Sequence, residues 1–243
     1  MLFPIGDDNL DRQTFPFVNY LLIAANISVY ILLQGVGFND AFTYAFSVVP
    51  REITTGADLQ GSVRVLSSTG QVLGEIKLEP TPIHVYGTIL TSMFMHGGFM
   101  HIFGNMLYLW IFGDNLEDRL GHIRYLIFYL VCGIAAALAQ IFTSQDSVIP
   151  MLGASGAISG VLGGYLLLFP HRKVTAIIFY NVVQIPAFVA LGLWIALQIF
   201  QGYLDTAEAG GVAYTAHIGG FIAGFLLIKV FALGTKERVK NNL

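Results

Sequence analysis

Charge is what this sequence has least of. Only 11% of its 243 residues are Asp, Glu, Lys or Arg, against about 25% in an average soluble domain, so the chain cannot cover a water-facing surface of its own size. Basic clusters are scarce as well. The 12 Lys and Arg against 15 Asp and Glu give a formal charge of -3, with no basic run before the last few positions, so no nucleic-acid partner is expected. The single cysteine, Cys132, excludes an intrachain disulfide. The first residues are acidic, with Asp7, Asp8 and Asp11 against Arg12. They resemble neither the basic start of a secretory signal nor an Arg-rich transit peptide, so the first apolar run is expected to be retained as a span. Repeats at solenoid periods and low-complexity segments are absent from the sequence.

What is present is apolar: 55% of the residues are hydrophobic and the mean hydropathy is +0.69. A hydrocarbon core of about 30 Å needs about 20 apolar residues at a rise of 1.5 Å each. Six stretches approach that length, at about 17–36, 99–115, 123–142, 152–169, 174–200 and 214–233. The apolar run 85–95 is too short to span and reads as an interfacial or re-entrant segment. The fold class is therefore an all-α membrane protein, a bundle of six transmembrane helices embedded in the lipid bilayer. With the N-terminus inside, nine of the twelve Lys and Arg fall on the cytoplasmic side, as retained positive charge requires. Residues 1–16 form a cytoplasmic N-terminal segment, 17–233 the membrane domain and 234–243 a cytoplasmic tail. In the long outer loop, about 37–95, partly alternating residues at 62–66 and 72–78 flank Ser67-Ser68-Thr69-Gly70 as a hairpin does. The lack of a targeting segment fits a multi-pass protein of a prokaryotic plasma membrane.

Polar side chains inside such runs are expensive and mark function. His101 and Asn105, four residues apart, share one helical face of the second span. Ser155 begins the fourth and His217 lies near the start of the sixth. Counted to the inner ends of their spans, Ser155 to Phe169 is about 21 Å, His217 to Leu233 about 24 Å and His101 to Gly113 about 18 Å. All three therefore lie in the outer half, some 6 to 12 Å below the surface. Gly156, Gly160 and Gly164 on one span and Ala216, Gly220 and Gly224 on the other repeat at four-residue spacing, as close helix approach requires. If these stripes face each other, Ser155 and His217 are neighbours. A serine hydroxyl beside an imidazole is the minimal activated nucleophile. No Asp or Glu lies at that depth, so the pair would act as a dyad, with the Ser155 N–H, His101 and Asn105 as donors to a developing oxyanion.

His96-Gly97-Gly98-Phe99-Met100-His101-Ile102-Phe103-Gly104-Asn105, then Gly153-Ala154-Ser155-Gly156, then Ala216-His217-Ile218-Gly219-Gly220 with Gly224 together resemble the rhomboid family of intramembrane serine proteases. Glu117-Asp118-Arg119-Leu120-Gly121 resembles that family's acidic and basic pair after the second span. The resemblance covers about 91–224. It implies a serine endopeptidase, a hydrolase of transmembrane protein substrates acting near the outer membrane face. In that reading Ser155 is nucleophile, His217 general base and acid, and His101 with Asn105 oxyanion donors, with no metal or cofactor. Many members carry an aromatic residue one turn after the nucleophile, where it packs against the catalytic ring; here Ser159 stands there, so something else must hold His217.

His96, beside Gly97 and Gly98, reads as structural, bonding loop backbone and shaping the entrance, and Gly153 belongs to the nucleophile motif. Glu117 and Arg119 read as a structural pair at the cytoplasmic end of their helix. A metal site of His96, His101 and His217 is weak, because helical continuation turns His96 about 140° from His101 and no carboxylate or thiol completes a ligand set. Pro186 inside the fifth run predicts a kink there and a possible lateral gate. The alternative from another class is a non-catalytic rhomboid-like protein that binds transmembrane helices.

Overall fold

The computed structural model describes residues 2–66, 71–204 and 212–235. Among these residues the chain is mostly helical, and three helices are long and apolar enough to cross a membrane: His122–Thr143, Ala187–Leu204 and Tyr214–Phe231. The protein is an integral membrane protein. In chain order the elements are β1 (Leu2–Asp7), α1 (Phe17–Ser28, continued by a π-turn over Val29–Leu33), α2 (Asp40–Ala45), α3 (Pro50–Thr55), β2 (Gly61–Leu66) and β3 (Val72–Leu78). A 3-10 turn (Val85–Gly87) and α4 (Thr88–Thr91) lead into α5 (Phe99–Leu120), α6 (His122–Thr143) and α7 (Ser155–Leu168). The chain then forms β4 (Lys173–Ile178), β5 (Asn181–Pro186), α8 (Ala187–Leu204) and α9 (Tyr214–Phe231).

The expected all-α class needs correcting on one face. The run 174–200 is not one helix: its first half is the β4–β5 hairpin and only Ala187–Leu204 is helical. Seven of the twelve residues in the two strands are Val, Ile or Thr, whose branching at Cβ favours a pleated strand. The turn places Phe179 and Tyr180 at φ of 45° and 71°, the handedness that a two-residue hairpin requires. Pro186 is the last residue of β5, opposite Lys173, so it precedes α8 rather than kinking it, and the kink on which a gate at Pro186 rested is not formed. β1 adds to β4 as a third antiparallel strand.

The N-terminal segment is fastened to the last turns of α5. Arg12 Nη1 donates to Asp114 Oδ2 at 2.5 Å, Asp118 Oδ1 accepts from the Thr14 N–H at 2.8 Å and its hydroxyl at 2.6 Å, and Arg172 Nη2 binds both Asp11 carboxylate oxygens. Glu117 is fully buried and accepts from the Val18 and Asn19 N–H groups at 2.8 and 2.7 Å, donors that the first turn of a helix leaves unmade. The expected pairing of Glu117 with Arg119 does not form: Glu117 caps α1, while Arg119 donates to the Thr235 hydroxyl.

Asp7 completes this face. Its Oδ2 accepts from the Tyr165 hydroxyl at 2.5 Å and from Asn115 Nδ2 at 2.7 Å. Burial pushes its carboxyl up to about 7, with Asp114 adding to the rise while the Tyr165 and Asn115 hydrogen bonds and the Arg172 charge oppose it. A folded-state value above the unfolded 3.8 means that Asp7 contributes stability below about pH 4 that is lost as pH rises through about 7. The melting temperature of Asp7→Asn in detergent should therefore gain on wild type by more than about 2 °C between pH 5 and pH 8; a difference constant with pH would contradict this.

At the other face the segment between α1 and α5 forms a shelf. The β2–β3 hairpin lies where alternation predicts it, paired Gly61 to Leu78 through Arg64 to Glu75; its turn residues and the tail 236–243 lie outside the described residues. Val48 and Met151 exchange backbone hydrogen bonds at 3.0 and 2.7 Å, and the Gly153 N–H donates to the Ser92 carbonyl at 2.9 Å. The shelf thereby fixes the loop that delivers Ser155 to α7.

Candidate active site

α5, α7 and α9 all begin at this shelf face and bring His101 with Asn105, Ser155 and His217 to a common cleft. Ser155 is the first residue of α7, after the N-cap Ala154. Its Oγ lies 2.8 Å from Nε2 of His217, in the first turn of α9. An imidazole at that distance can take the hydroxyl proton and return it to a leaving group.

The helices approach this closely because the small residues leave nothing between them. A Cβ added at Gly220 would stand 2.1 Å from the Gly156 carbonyl oxygen, and one at Gly224 1.9 Å from that of Gly160. The two stripes face each other as expected, with the α7 backbone against the α9 glycines. Gly156 and Gly160 offer their carbonyls to α9 but direct their Cα hydrogens at Ala136 and Cys132 of α6. Gly163, one position off the stripe, also packs on α9, where an added Cβ would stand 2.1 Å from the Phe221 carbonyl. Gln140 of α6 accepts the Ala216 N–H at 3.2 Å, fastening the start of α9.

His101 and Asn105 lie on the cleft side of α5 and line the cleft with Ser155 and His217. His101 Nδ1 accepts from the Gly97 N–H at 3.2 Å, which leaves the ring proton on Nε2. A Cβ at Gly153 would stand 2.9 Å from that Nε2 and 3.4 Å from Ser155 Oγ, and the residue holds φ +130°; glycine meets both demands. Asn105 is buried, and its amide nitrogen has no hydrogen-bond partner among the described residues. The arrangement thus offers two side-chain N–H donors beside the N-terminal N–H groups of α7, a setting suited to a developing negative charge.

His96 is fully buried and packs edge-on against His101, ring centroids 5.2 Å apart. The loop backbone is tied by another residue: Gln34, just beyond the π-turn of α1, donates to the His96 carbonyl and accepts its N–H, both at 2.9 Å. No group of three or more metal-ligating side chains occurs among the described residues.

The sequence names no residue that holds the His217 ring. Ser159 does not reach it; its hydroxyl donates to the Ser155 carbonyl at 2.6 Å. The support comes from α8, where Gln198 Oε1 lies 2.7 Å from His217 Nδ1 and the Trp194 ring is 6.1 Å from the imidazole, with Tyr214 edge-on at 6.5 Å. Gln198 carried a signal of the kind used for the other residues, a polar side chain inside an apolar run. Gln34 carried the same signal in the first run.

A family model described as Rhomboid domain matches residues 84–233, a stretch that holds every one of these side chains except Gln34. The chain belongs to the rhomboid family. Rhomboid protein 1, mitochondrial, of Saccharomyces cerevisiae is 35% identical over 146 residues, 57% of this chain and 40% of the relative. RHOMBOID-like protein 6, mitochondrial, of Arabidopsis thaliana is 31% identical over 238 residues, 89% of this chain and 69% of the relative. Rhomboid protease GluP of Bacillus subtilis is 31% identical over 147 residues, 60% of this chain and 26% of the relative. Against several curated relatives that it matches, this rhomboid spans about half of their length or less.

Proposed function

We propose that this rhomboid is an intramembrane serine endopeptidase that cleaves transmembrane protein substrates near one membrane face. The observation that carries the reading is the 2.8 Å approach of Ser155 Oγ to His217 Nε2 between helices of a membrane protein. His217 takes the Ser155 proton as Oγ attacks the scissile carbonyl carbon. The resulting oxyanion is held by the Ser155 N–H, His101 Nε2–H and the Asn105 amide. His217 then gives its proton to the departing amine, leaving an acyl-enzyme. A water molecule, deprotonated by His217, attacks the acyl carbon, and the proton returns to Ser155 Oγ as the acid product leaves. A helical substrate must unwind to present a carbonyl, so Gly or Pro near the cut site favours cleavage.

The same reading takes α1 and α5 to α9 as six crossings. It puts the cleft on the outer side, because Arg12, Arg119, Arg124, Arg172, Lys173 and Lys229 belong to the opposite end of the bundle and positive charge stays inside. Both termini are then cytoplasmic in a plasma membrane. The test is cleavage of a single-span reporter by purified protein in proteoliposomes, together with fluorophosphonate labelling. Two fragments cut near the cleft-side end of the span, with label on Ser155, support the reading. A reporter that binds but stays intact, with no label on Ser155, overturns it in favour of a non-catalytic helix binder. Since the Asn105 amide nitrogen makes no structural bond among the described residues, Asn105→Ala should lower kcat about 100- to 1000-fold and leave the melting temperature within about 2 °C of wild type.

A further inference from the structure

Resting on the dyad reading, we infer that Gln198 is a third, positioning member of the site, which fixes the tautomer of His217 and ties it to the seating of α8. The amide oxygen of Gln198 faces Nδ1 at 2.7 Å. An amide oxygen only accepts, so this contact places the ring proton on Nδ1 and leaves the Nε2 lone pair to face Ser155 Oγ. With the proton on Nε2 instead, the imidazole would donate to the serine and could not receive its proton. A neutral amide thus performs the orienting part of the role that a carboxylate has in a triad.

The location of Gln198 gives this contact a second consequence. The fully buried side chains of α8, Ala187, Ala190 and Leu191, all lie in its first two turns. Beyond them Leu193, Leu197, Ile199, Phe200, Tyr203 and Leu204 are exposed, as residues turned to lipid are. The cleft-side half of α8 meets α9 through Trp194 against His217 and Phe221, through Gln198 on His217, and through Gly202, whose added Cβ would stand 3.1 Å from Tyr214. A displacement of this half that parts Gln198 from His217 removes the acceptor from Nδ1 and with it the preference for the productive tautomer. His101 on α5 and Tyr214 on α9 are the titratable side chains that face the imidazole among the described residues.

The experiment compares wild type, Gln198→Leu, Gln198→Glu and Ser155→Ala on one single-span reporter, with kcat, KM and pH profiles. Gln198→Leu keeps the bulk and removes the acceptor; kcat should fall about 10- to 100-fold, as when a metal-ligating histidine loses its outer partner, with KM changed less than about twofold. Gln198→Glu restores an acceptor with a charge, so kcat should recover to within about threefold of wild type and the acidic limb should move to higher pH, because a carboxylate beside Nδ1 favours the imidazolium. Wild-type kcat and pH profile in both variants would overturn the inference while the dyad reading stands. Cleavage by Ser155→Ala would instead overturn the dyad reading itself. Should Gln198→Leu fail to fold, Gln198→Glu decides alone: a shifted acidic limb supports the positioning role and an unshifted one removes it.

Discussion

Ser155→Ala is expected to abolish cleavage, lowering kcat by at least about 10^4-fold, and His217→Ala to do nearly the same. In the dyad reading the two groups act on one proton, so removing either leaves only the oxyanion donors and substrate binding, and the double variant should be hardly worse than either single one. Stability should not follow activity. The Ser155 side chain is not part of the tight α7 and α9 contact, where backbone meets backbone, so Ser155→Ala should melt within about 2 °C of wild type and still bind the reporter. Losses that multiplied in the double variant would mean that the two residues act independently, against the dyad. Residual cutting in Ser155→Ala above that of a mock preparation would exclude Ser155 as nucleophile.

Gly224→Ala should be among the most damaging single-methyl substitutions in the bundle. The new Cβ would stand 1.9 Å from the Gly160 carbonyl oxygen and 2.6 Å from its Cα, and backbone cannot rotate out of the way as a side chain can. The helices must separate, at a cost of about 3 kcal/mol or more, equivalent to a fall of at least about 6 °C in melting temperature for a chain of this length. Because the start of α9 carries His217, separation also lengthens the 2.8 Å contact with Ser155, and activity should fall further than stability. Gly192→Ala on α8 is the matched control: nothing lies within 4 Å of its Cβ position, and in mid-helix the change should be neutral or stabilising. Equal melting temperatures for the two variants would show that the small-residue contact contributes nothing.

Part of this was legible in the residues. Helices α6 and α9 begin within one residue of where hydropathy put them, and β3 matches its alternating run at both ends. Periodicity and composition are local properties, and these segments obey them without help from neighbours. Depth along a helix is local too, since a fixed rise per residue converts sequence position into height. That is why Ser155, His217, His101 and Asn105 could be assigned to one level before any packing was known.

Tertiary structure decided what depends on partners far along the chain. The run 174–200 is mostly apolar, and composition cannot tell a lipid-facing helix from a strand pair extended by β1; the pairing of Leu2 with Ile178 settles it. Whether Glu117 meets Arg119 or the first turn of α1 depends on where α1 enters. The aim of Gln198 is the sharpest case. One glutamine in an apolar helix is a polar residue without an address until the packing of α8 on α9 brings its amide oxygen to Nδ1 of His217. The sequence by itself determined the membrane class, the family resemblance and the level of the polar groups, because each follows from residue type and spacing along one chain direction. The added sheet, the α1 cap and the third partner of the histidine were left to the fold, because a hydrogen bond between distant segments exists only once packing has fixed both its ends.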